Sequence, residues 1–468
     1  MTGDMRTDIL SVQRFRHPGS VQECRLRLEE WAASRHIELA WNQEVTTWRI
    51  VGDFAPQMMA EAIKQTWQRH DALTATYHFG VFGESPGQLL RPDAPPEIRL
   101  SDVSSESDSA AAARALVQRH CLERRPLTAA PQMSAQVVRT SETEHLVSIR
   151  HPSMMMDHWG FDVFVRDLAV FYTNLTVGAG PRLDDCGRYT DYTDAEYEAL
   201  RDGSWSDSVD FWLDNYRGES PIPGLPLTGW RGNSGGDRLA GGRTAGAFSP
   251  ETVQELREAW RHGAARGITP YCFMLAVVLV LLHRLTGERD LGVLVPAANR
   301  DQWEYHDTVG LFATILAPRF RDLPDLSFDA LCELVRDTLN DALAHQRVSY
   351  HDMQRRLTPE HYGRPLPTTT CYFDYWIQDE SLPAFGTAQA EPFRVKLPPN
   401  EQEGLAFNLY DDRASAVSYS LSYSRRLFDE AGAQALTHDL EELAAAAARS
   451  PESAVASLTT LPSLRIPR

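Results

Sequence analysis

A short segment, residues 149–160, carries the residue types best suited to acid–base chemistry. It reads Ile-Arg-His-Pro-Ser-Met-Met-Met-Asp-His-Trp-Gly and so contains His151, Ser153, Asp157 and His158. A strand-like run precedes it and an amphipathic helical pattern follows it, which predicts that these side chains share one strand-to-helix junction. A general base at such a junction points into a cleft while its backbone stays fixed.

Both histidines have a catalytic and a structural interpretation. His151 stands on the same strand face as His145, Val147 and Ile149, where it is either a base at the strand end or a satisfied core residue. His158 falls in the first turn of the helix, whose N-terminus disfavours imidazolium, so we expect a neutral imidazole able to accept a proton. The alternative is a half-exposed helix-start residue without a chemical role.

Composition narrows the class of protein. The 468 residues include 46 Lys and Arg against 64 Asp and Glu, a formal net charge of −18 that argues against nucleic-acid binding. Six scattered cysteines without a C-x-x-C pair predict reduced, buried thiols in a cytoplasmic protein. No signal peptide is recognised, and the longest apolar run, residues 271–282, is too short for a bilayer, so no membrane association is expected. No metal-ligand spacing, phosphate loop or dinucleotide fingerprint is present.

The elements that must position the junction alternate between helical and strand patterns. We predict two α+β lobes of similar make-up, residues 1–178 and 188–468, with a Gly- and Pro-rich boundary between them and a second loose stretch at 219–246. Predicted helices are 25–34, 56–69, 104–123, one opening at Asp157, 250–266, a core helix from 271, 328–345 and 429–449. Predicted strands are 46–51, 73–79, 135–140, 145–151, 291–296, 311–318, 368–377, 405–410 and 416–423.

Several segments resemble, in order, the elements of nonribosomal peptide synthetase condensation domains. Residues 69–77, Arg-His-Asp-Ala-Leu-Thr-Ala-Thr-Tyr, are similar to the family's Arg-His-Glu-x-Leu-Arg-Thr-x-Phe. Residues 309–316, Val-Gly-Leu-Phe-Ala-Thr-Ile-Leu, are similar to its Ile-Gly-x-Phe-x-Asn-Thr-Leu. Further similar segments are 189–192 with 211–212, 293–300, 345–346, 364–367 with 371–375, and 427–430.

Residues 149–160 resemble the family's His-His-x-x-x-Asp-Gly signature, with a departure at the catalytic position. Counted back from Asp157, the catalytic His of the family falls on Ser153 and the preceding His on Pro152, while His158 replaces the Gly. Three interpretations stay open: a one-residue shift lets His151 act, His158 substitutes from the helix start, or the base is lost. Ser153 is either a hydrogen-bond donor to a thioester carbonyl or, as we favour, a turn residue, since no base or oxyanion hole is assigned to it.

The resemblance implies two chloramphenicol-acetyltransferase-like lobes in a V-shaped pseudo-dimer with a central tunnel. Asp157 is then a structural residue, a helix N-cap that also pairs with Arg300 from the other lobe, and Trp159 is an anchor beside it. Asp374 and the adaptable side chains of the three methionines are expected to line the tunnel without binding a metal. These methionines are Met154, Met155 and Met156.

The resemblance also implies the substrates. They arrive as acyl or aminoacyl thioesters on the phosphopantetheine of acyl- or peptidyl-carrier proteins, and no permanently bound cofactor is expected. We expect a free-standing, monomeric enzyme that joins the acyl group to a small-molecule amine or alcohol, with His151 or His158 as base. The alternatives are a degenerate module that binds carriers or recruits a tailoring enzyme, and a rewired catalyst that performs cyclisation or rearrangement in the same tunnel.

Overall fold

The computed structural model describes residues 15–37, 39, 43–83, 85–178, 180–216, 241–364, 370–378, 383–395 and 404–462. The strands within these ranges are β1 (Phe15–Arg16), β2 (Gln43–Val51), β3 (Ala75–Phe82), β4 (Ser85–Leu90), β5 (Glu97–Asp102), β6 (Ser134–Arg139), β7 (Glu144–Pro152), β8 (Gly241–Ala247), β9 (Leu291–Gly292), β10 (Val295–Ala297), β11 (Thr314–Leu316), β12 (Arg319–Phe320), β13 (Cys371–Ile377), β14 (Ala384–Phe385), β15 (Ala388–Pro392), β16 (Leu405–Asp411) and β17 (Val417–Ser424).

The helices within the same ranges are α1 (Ser20–Ala33), α2 (Pro56–Arg69), α3 (Ser109–Leu122), α4 (His158–Val177), α5 (Tyr189–Asp202), α6 (Ser206–Asn215), α7 (Pro250–Ala264), α8 (Pro270–Thr286), α9 (Phe328–Ala344), α10 (Tyr350–Leu357), α11 (Glu430–Arg449) and α12 (Val455–Leu458). Helices and strands therefore alternate along the chain, as the α+β prediction requires.

The chain divides into two compact units that are not continuous in sequence. The first unit comprises Met1–Ser204, Ala298–Ala313 and Ser381–Pro398, and the second comprises Trp205–Ala297, Thr314–Glu380 and Pro399–Arg468. The predicted lobes, 1–178 and 188–468, do not include this exchange of segments. The sequence pattern carries no signal for the exchange, because it depends on contacts between residues far apart in the chain.

The first unit is built on a mixed six-stranded sheet in the order β14-β15-β2-β7-β6-β5. Only the β5–β6 pair in this sheet is parallel. Strand β7 lies between β2 and β6, so both of its edges are paired with neighbouring strands. On one face Val147 and Ile149 belong to a core with Phe164 of α4, and on the other face Leu146 packs with Val117 of α3. The central strand is thereby fixed by its neighbours on every side.

The second unit has a mixed four-stranded sheet in the order β13-β16-β17-β8, with β13 and β16 parallel. Helix α8 is buried over Cys272 to Leu282, which agrees with the predicted core helix. Within the described residues no helix combines the length and apolarity needed to cross a membrane. The described ranges also contain no group of three or more His, Cys, Asp or Glu residues suited to holding a metal ion.

Several predicted elements differ from the structure. Strand β3 begins at Ala75 and not at residue 73, because Asp71–Thr74 form a short 3-10 turn in which the Thr74 hydroxyl donates to the Asp71 carbonyl at 2.8 Å. The loose stretch predicted at 219–246 lies outside the described residues up to 240, and its last residues form β8. There Gly242 and Gly246 leave room for the rings of tyrosines on β17.

The strand predicted at 311–318 also differs. Only its middle residues, 314–316, form a strand, β11, and β12 begins directly after residue 318. Residues 312 and 313 instead turn their amides toward a side chain in the first unit. Part of the predicted motif at 364–367 and the start of the predicted strand at 368 lie outside the described residues. Helices α5, α6, α10 and α12 were not predicted.

Candidate functional site: the junction between β7 and α4

The junction consists of residues 153–157, which follow the last β7 residue, Pro152, and precede α4. The Met155 amide donates to the Pro152 carbonyl at 3.0 Å, and the Asp157 amide donates to the Gly310 carbonyl at 3.1 Å. Gly160, in the first turn of α4, also approaches this backbone: a Cβ atom there would lie 2.9 Å from the Gly310 oxygen. The junction is therefore held against the segment Ala298–Ala313 of the same unit.

Asp157 uses both carboxylate oxygens to fix the junction. Its Oδ1 accepts hydrogen bonds from the Gly160 amide at 2.6 Å and from Arg300 Nη2 at 3.0 Å. Its Oδ2 accepts from the Phe312 and Ala313 amides at 2.9 and 2.8 Å. One buried side chain thus caps α4, pairs with a cation and terminates the neighbouring strand, which explains why residues 312 and 313 do not extend β11.

Arg300 is almost completely buried beside Asp157. Its Nη1 donates to the carbonyl oxygens of Tyr305 and Thr308 at 2.7 and 2.8 Å, and its guanidinium lies 4.1 Å from the Phe312 ring centroid. Burial lowers the pKa of Arg300, and the Asp157 carboxylate opposes that shift. The sequence prediction placed Arg300 in the other lobe; the structure places both partners in the first unit, because Ala298–Ala313 belongs to that unit.

Trp159 stands on the solvent side of the same cluster. Its side chain is partly exposed, and its Nε1 donates to the His306 carbonyl at 3.0 Å. The Arg300 guanidinium lies 5.7 Å from its ring centroid. The anchor predicted at this position therefore attaches α4 to the 298–313 segment beside the buried ion pair.

His151 lies at the end of β7 and is only 3% exposed. Its Nδ1 is 2.9 Å from the Pro152 carbonyl oxygen, which accepts hydrogen bonds only, so Nδ1 carries the proton and Nε2 is the basic nitrogen. Burial lowers the pKa of His151 to about 4. The imidazole is therefore neutral at physiological pH and is a weak base.

Glu44 is a residue beside the junction that was not predicted. It is opposite His151 in the β2–β7 ladder, so the two side chains leave the same face of the sheet. The Glu44 side chain keeps contact with solvent, while partial desolvation raises its pKa and Arg25 opposes that shift. Only the strand register brings this carboxylate to the junction, and the register has no local signature in the sequence.

Ser153 and His158 occupy contrasting environments. Ser153 is buried, and Arg25 Nη1 lies 3.3 Å from its carbonyl oxygen and 3.4 Å from its Oγ. The hydroxyl therefore faces a cation, and its place in the turn agrees with the structural interpretation. His158 begins α4 with a 61% exposed side chain, and its Nε2 is 3.9 Å from Asp162.

The remaining predicted site residues are buried. Met154 belongs to a core with Tyr77 and Tyr189, whereas Met155 and Met156 belong to the core beneath α4. Their exposed fractions of 0%, 0% and 4% place all three in the cores of the first unit, and a role in lining a tunnel stays a prediction.

Asp374 belongs to β13 of the second unit. Burial raises its pKa to about 6, although the Tyr375 amide and the Tyr372 hydroxyl stabilise the carboxylate. The structure thus gathers Asp157, Arg300 and Trp159 in one cluster of the first unit, and places Asp374 in the second unit.

Comparisons with known proteins agree on the family. The sequence model of the family described as "Condensation domain" matches residues 20–465. Phosphinothricin tripeptide synthetase PhsC of Streptomyces viridochromogenes is 27% identical over 421 residues, which cover 88% of this chain and 38% of that protein. The chain thus spans well under half of this curated relative.

Two solved structures show the same fold. The condensation domain from Monacolin K polyketide synthase MokA superposes with a TM-score of 0.78 at 18% identity, covering 94% of this chain and 99% of that one. A chain of the complex of the X-domain and OxyB from teicoplanin biosynthesis superposes with a TM-score of 0.77 at 21% identity, covering 95% and 96%. These likenesses confirm the predicted α+β, two-lobed fold class.

Proposed function

The chain belongs to the condensation-domain family, and we propose that it joins an acyl group, delivered as a thioester on a carrier protein's phosphopantetheine, to an amine or an alcohol. A condensation or acyl-transfer role in natural-product synthesis follows from the family and its synthetase relatives. The observation that carries the finer proposal is the buried Asp157–Arg300 pair, which holds the β7–α4 junction at the position of the family's central motif.

In the proposed reaction the acceptor nitrogen or oxygen attacks the thioester carbonyl carbon. A C–N or C–O bond forms, the C–S bond breaks, and the acceptor's proton passes through a base to the leaving thiolate. We assign His151 Nε2 as that base, since its Nδ1 is committed to the Pro152 carbonyl. With a pKa of about 4 it contributes at the lower end of the usual ~10²–10⁴-fold range, and tethering of both substrates supplies proximity.

Single-turnover condensation with loaded carriers tests this assignment. We expect His151→Gln to slow product formation by about 10²-fold. His145→Gln is the matched control: it changes a second buried histidine on the same strand face, about 20 Å from His151 along β7. The wild-type rate should show no inflection between pH 6 and 8 from His151, because its pKa is about 4.

Other outcomes reassign the base. If His158→Ala abolishes turnover while His151→Gln retains it, the exposed histidine at the start of α4 is the base. If both variants and the double variant keep full activity, neither histidine takes the proton, and orientation of the tethered substrates supplies the rate.

The proposed partners are acyl- or peptidyl-carrier proteins. We expect measurable, weak and salt-sensitive binding to a cognate carrier and none to duplex DNA, because the net charge of −18 repels a polyanion. Calorimetric titration with loaded and unloaded carriers, with a duplex oligonucleotide as control, measures this. Failure to bind carriers, together with turnover of free coenzyme A thioesters, would contradict the carrier assignment.

A second candidate function is favoured by the residue at the family's catalytic position. Ser153 faces the Arg25 guanidinium, and the neighbouring His151 is a weak base. One solved structure of the same fold is a complex of an X-domain with OxyB. The candidate is a module that recruits a tailoring enzyme. It predicts carrier binding without any condensation product, together with a stable complex with a tailoring enzyme from the same gene cluster.

A further inference from the structure

A thiol, an imidazole and a carboxylate form a second polar cluster in the first unit. Cys186 Sγ lies 3.8 Å from His70 Nδ1, and His70 Nε2 lies 3.0 Å from Asp167 Oδ2. Asp167 is ten residues after Asp157, which places it about 15 Å further along α4. The cluster is therefore separate from the β7–α4 junction and takes no part in the condensation mechanism proposed above.

The hydrogen bonds around His70 fix its tautomer. The Val309 amide donates to Nδ1 at 3.4 Å, so Nδ1 carries a lone pair. Nε2 then carries the proton and donates it to Asp167, since a carboxylate accepts. The single Nδ1 lone pair is shared between the Val309 amide at 3.4 Å and the Cys186 thiol at 3.8 Å. A nucleophile, a base within reach of it and a carboxylate that orients the base are the parts of an activated-nucleophile site.

The carboxylate is held rigidly and remains charged. Asp167 is fully buried and accepts from Arg69 Nε at 2.8 Å and from Arg166 Nη2 at 2.7 Å. Although burial raises the pKa of Asp167, the hydrogen bonds from His70 and Arg166 lower it overall. Asp167 is therefore an anion at neutral pH and a stable partner for the imidazole N–H.

The resting cluster is a neutral thiol beside a neutral imidazole. Burial lowers the pKa of His70 despite Asp167, and burial raises the pKa of the Cys186 thiol. The charged groups that face the pair are Arg69, Arg166, Asp167 and Asp71. Activation would thus proceed by proton transfer during attack, with His70 as general base, and not through a preformed thiolate.

The loop that carries Cys186 is fixed at several points. Asn174 Nδ2 donates to the Pro181 carbonyl at 3.2 Å, Arg69 donates to the Asp184 carbonyl, and the Thr308 hydroxyl donates to the Gly187 carbonyl at 3.1 Å. The thiol is consequently held toward His70 by the backbone on both sides.

Cys186 is also reachable. The other five cysteines are buried, whereas Cys186 is partly exposed. Arg69 and the residues just before Cys186, including Arg182 and Asp184, line a cavity of about 500 Å³; Cys186 follows them in the chain and is not itself a lining residue. Cys186 is therefore more accessible than the other five thiols, with the Arg69 guanidinium as its neighbouring cation and Asp167 and Asp71 as neighbouring anions, whereas structural cysteines are buried and inert.

We propose that Cys186 is a nucleophilic thiol, activated by His70 and oriented through Asp167, that accepts acyl groups from small acyl thioesters. Cys186 Sγ attacks the thioester carbonyl carbon, a new C–S bond forms and the donor's C–S bond breaks. The thiol proton passes to His70 Nδ1 and then to the departing thiolate, so the exchange needs no oxidant or cofactor. The class of acyl donor rests on the proposed function; the reactivity of the thiol does not.

Alkylation by iodoacetamide under native conditions tests the reactivity without any carrier. We expect peptide mass spectrometry to find Cys186 alkylated first among the six thiols, at a rate that is constant between pH 7 and 8.5. In His70→Gln the rate should be roughly 10²-fold lower at pH 7 and should rise about tenfold per pH unit, as for a thiol without a base. A wild-type rate that itself rises tenfold per pH unit overturns the proposal, whether or not the buried His70 variant folds.

Acyl transfer is tested with an acyl-N-acetylcysteamine thioester. Wild type should gain one acyl group on the Cys186 peptide and release one equivalent of N-acetylcysteamine. Cys186→Ser should gain none there and should keep its melting temperature and its condensation rate. Rapid alkylation without acylation overturns the thioester part. Loss of condensation in His151→Gln with Cys186 acylation intact shows that the two sites are independent.

Discussion

At the scale of single residues, environment separates histidines that the sequence does not distinguish. His151 is buried against its own strand end and is neutral, whereas His158 is exposed at a helix start. His70 is buried with a carboxylate on one nitrogen and a thiol beside the other. Three histidines thus have three assignments, a weak base, a surface residue and the activator of a nucleophile, according to what surrounds each ring.

Asp157 is the residue whose loss should cost the most stability at the junction. Asp157→Ala removes the α4 cap, which is worth about 1 kcal/mol, and leaves the buried Arg300 without its carboxylate, which typically costs about 3–5 kcal/mol. Urea unfolding measures the change. The control is Asp162→Ala, which removes a 68% exposed carboxylate from the same helix and should change stability little. An Asp157→Ala variant that unfolds like wild type contradicts the structural role.

At the scale of elements, two helices begin with an Asp N-cap and differ in whether another backbone segment packs against their first turn. Helix α4 is capped by Asp157, which accepts from the Gly160 amide at 2.6 Å, and α11 is capped by Asp429, which accepts from the Gly432 amide at 2.7 Å. In each case an Asp cap is followed by Gly at the third position. Only at Gly160 does another backbone segment approach closely.

Alanine at these two glycines should therefore have opposite effects. A Cβ atom at Gly160 would meet the Gly310 oxygen at 2.9 Å and its nitrogen at 3.1 Å, so Gly160→Ala should destabilise the protein. At Gly432 the nearest atom is Asp429 Oδ1 at 3.2 Å, so Gly432→Ala should gain up to about 1 kcal/mol from helix propensity. Thermal melting of both variants compares them. Equal shifts of the same sign would mean that the Gly310 contact does not constrain α4.

At the scale of the whole molecule, burial shifts the pKa values of two side chains in opposite directions. Burial lowers the pKa of His151 to about 4, and burial raises the pKa of Asp374 to about 6. For His151 the unfolded chain binds the proton more tightly, so its contribution to stability is complete above about pH 6.5 and is lost as the pH falls toward 4. For Asp374 the contribution is complete below about pH 3.8 and is lost as the pH rises through 6.

Stability should therefore depend on pH differently in two variants. Between pH 7.5 and 5 His151 should cost the wild type about 2 kcal/mol of unfolding free energy, and His151→Gln should lack that loss. Asp374→Asn should gain stability relative to wild type as the pH rises from 4 to 7. Urea titrations at a series of pH values measure both. A His151→Gln protein with the pH slope of wild type would show that His151 is not buried in the neutral form.

The sequence by itself determined what depends on neighbours in the chain. The ends of helix 56–69, the cap at Asp157 and the order of the family's motifs are local signals, because caps, periodicity and short motifs act within a few residues. The family and fold class predicted from these signals are confirmed by the family model and by the solved structures of the same fold.

The tertiary structure alone decided what depends on distant segments. It placed Arg300 in the same unit as Asp157, ended β11 at the Asp157 carboxylate, set Glu44 opposite His151 and brought Cys186 to His70. Register and segment exchange arise from contacts between residues more than a hundred positions apart, and no local pattern records such contacts.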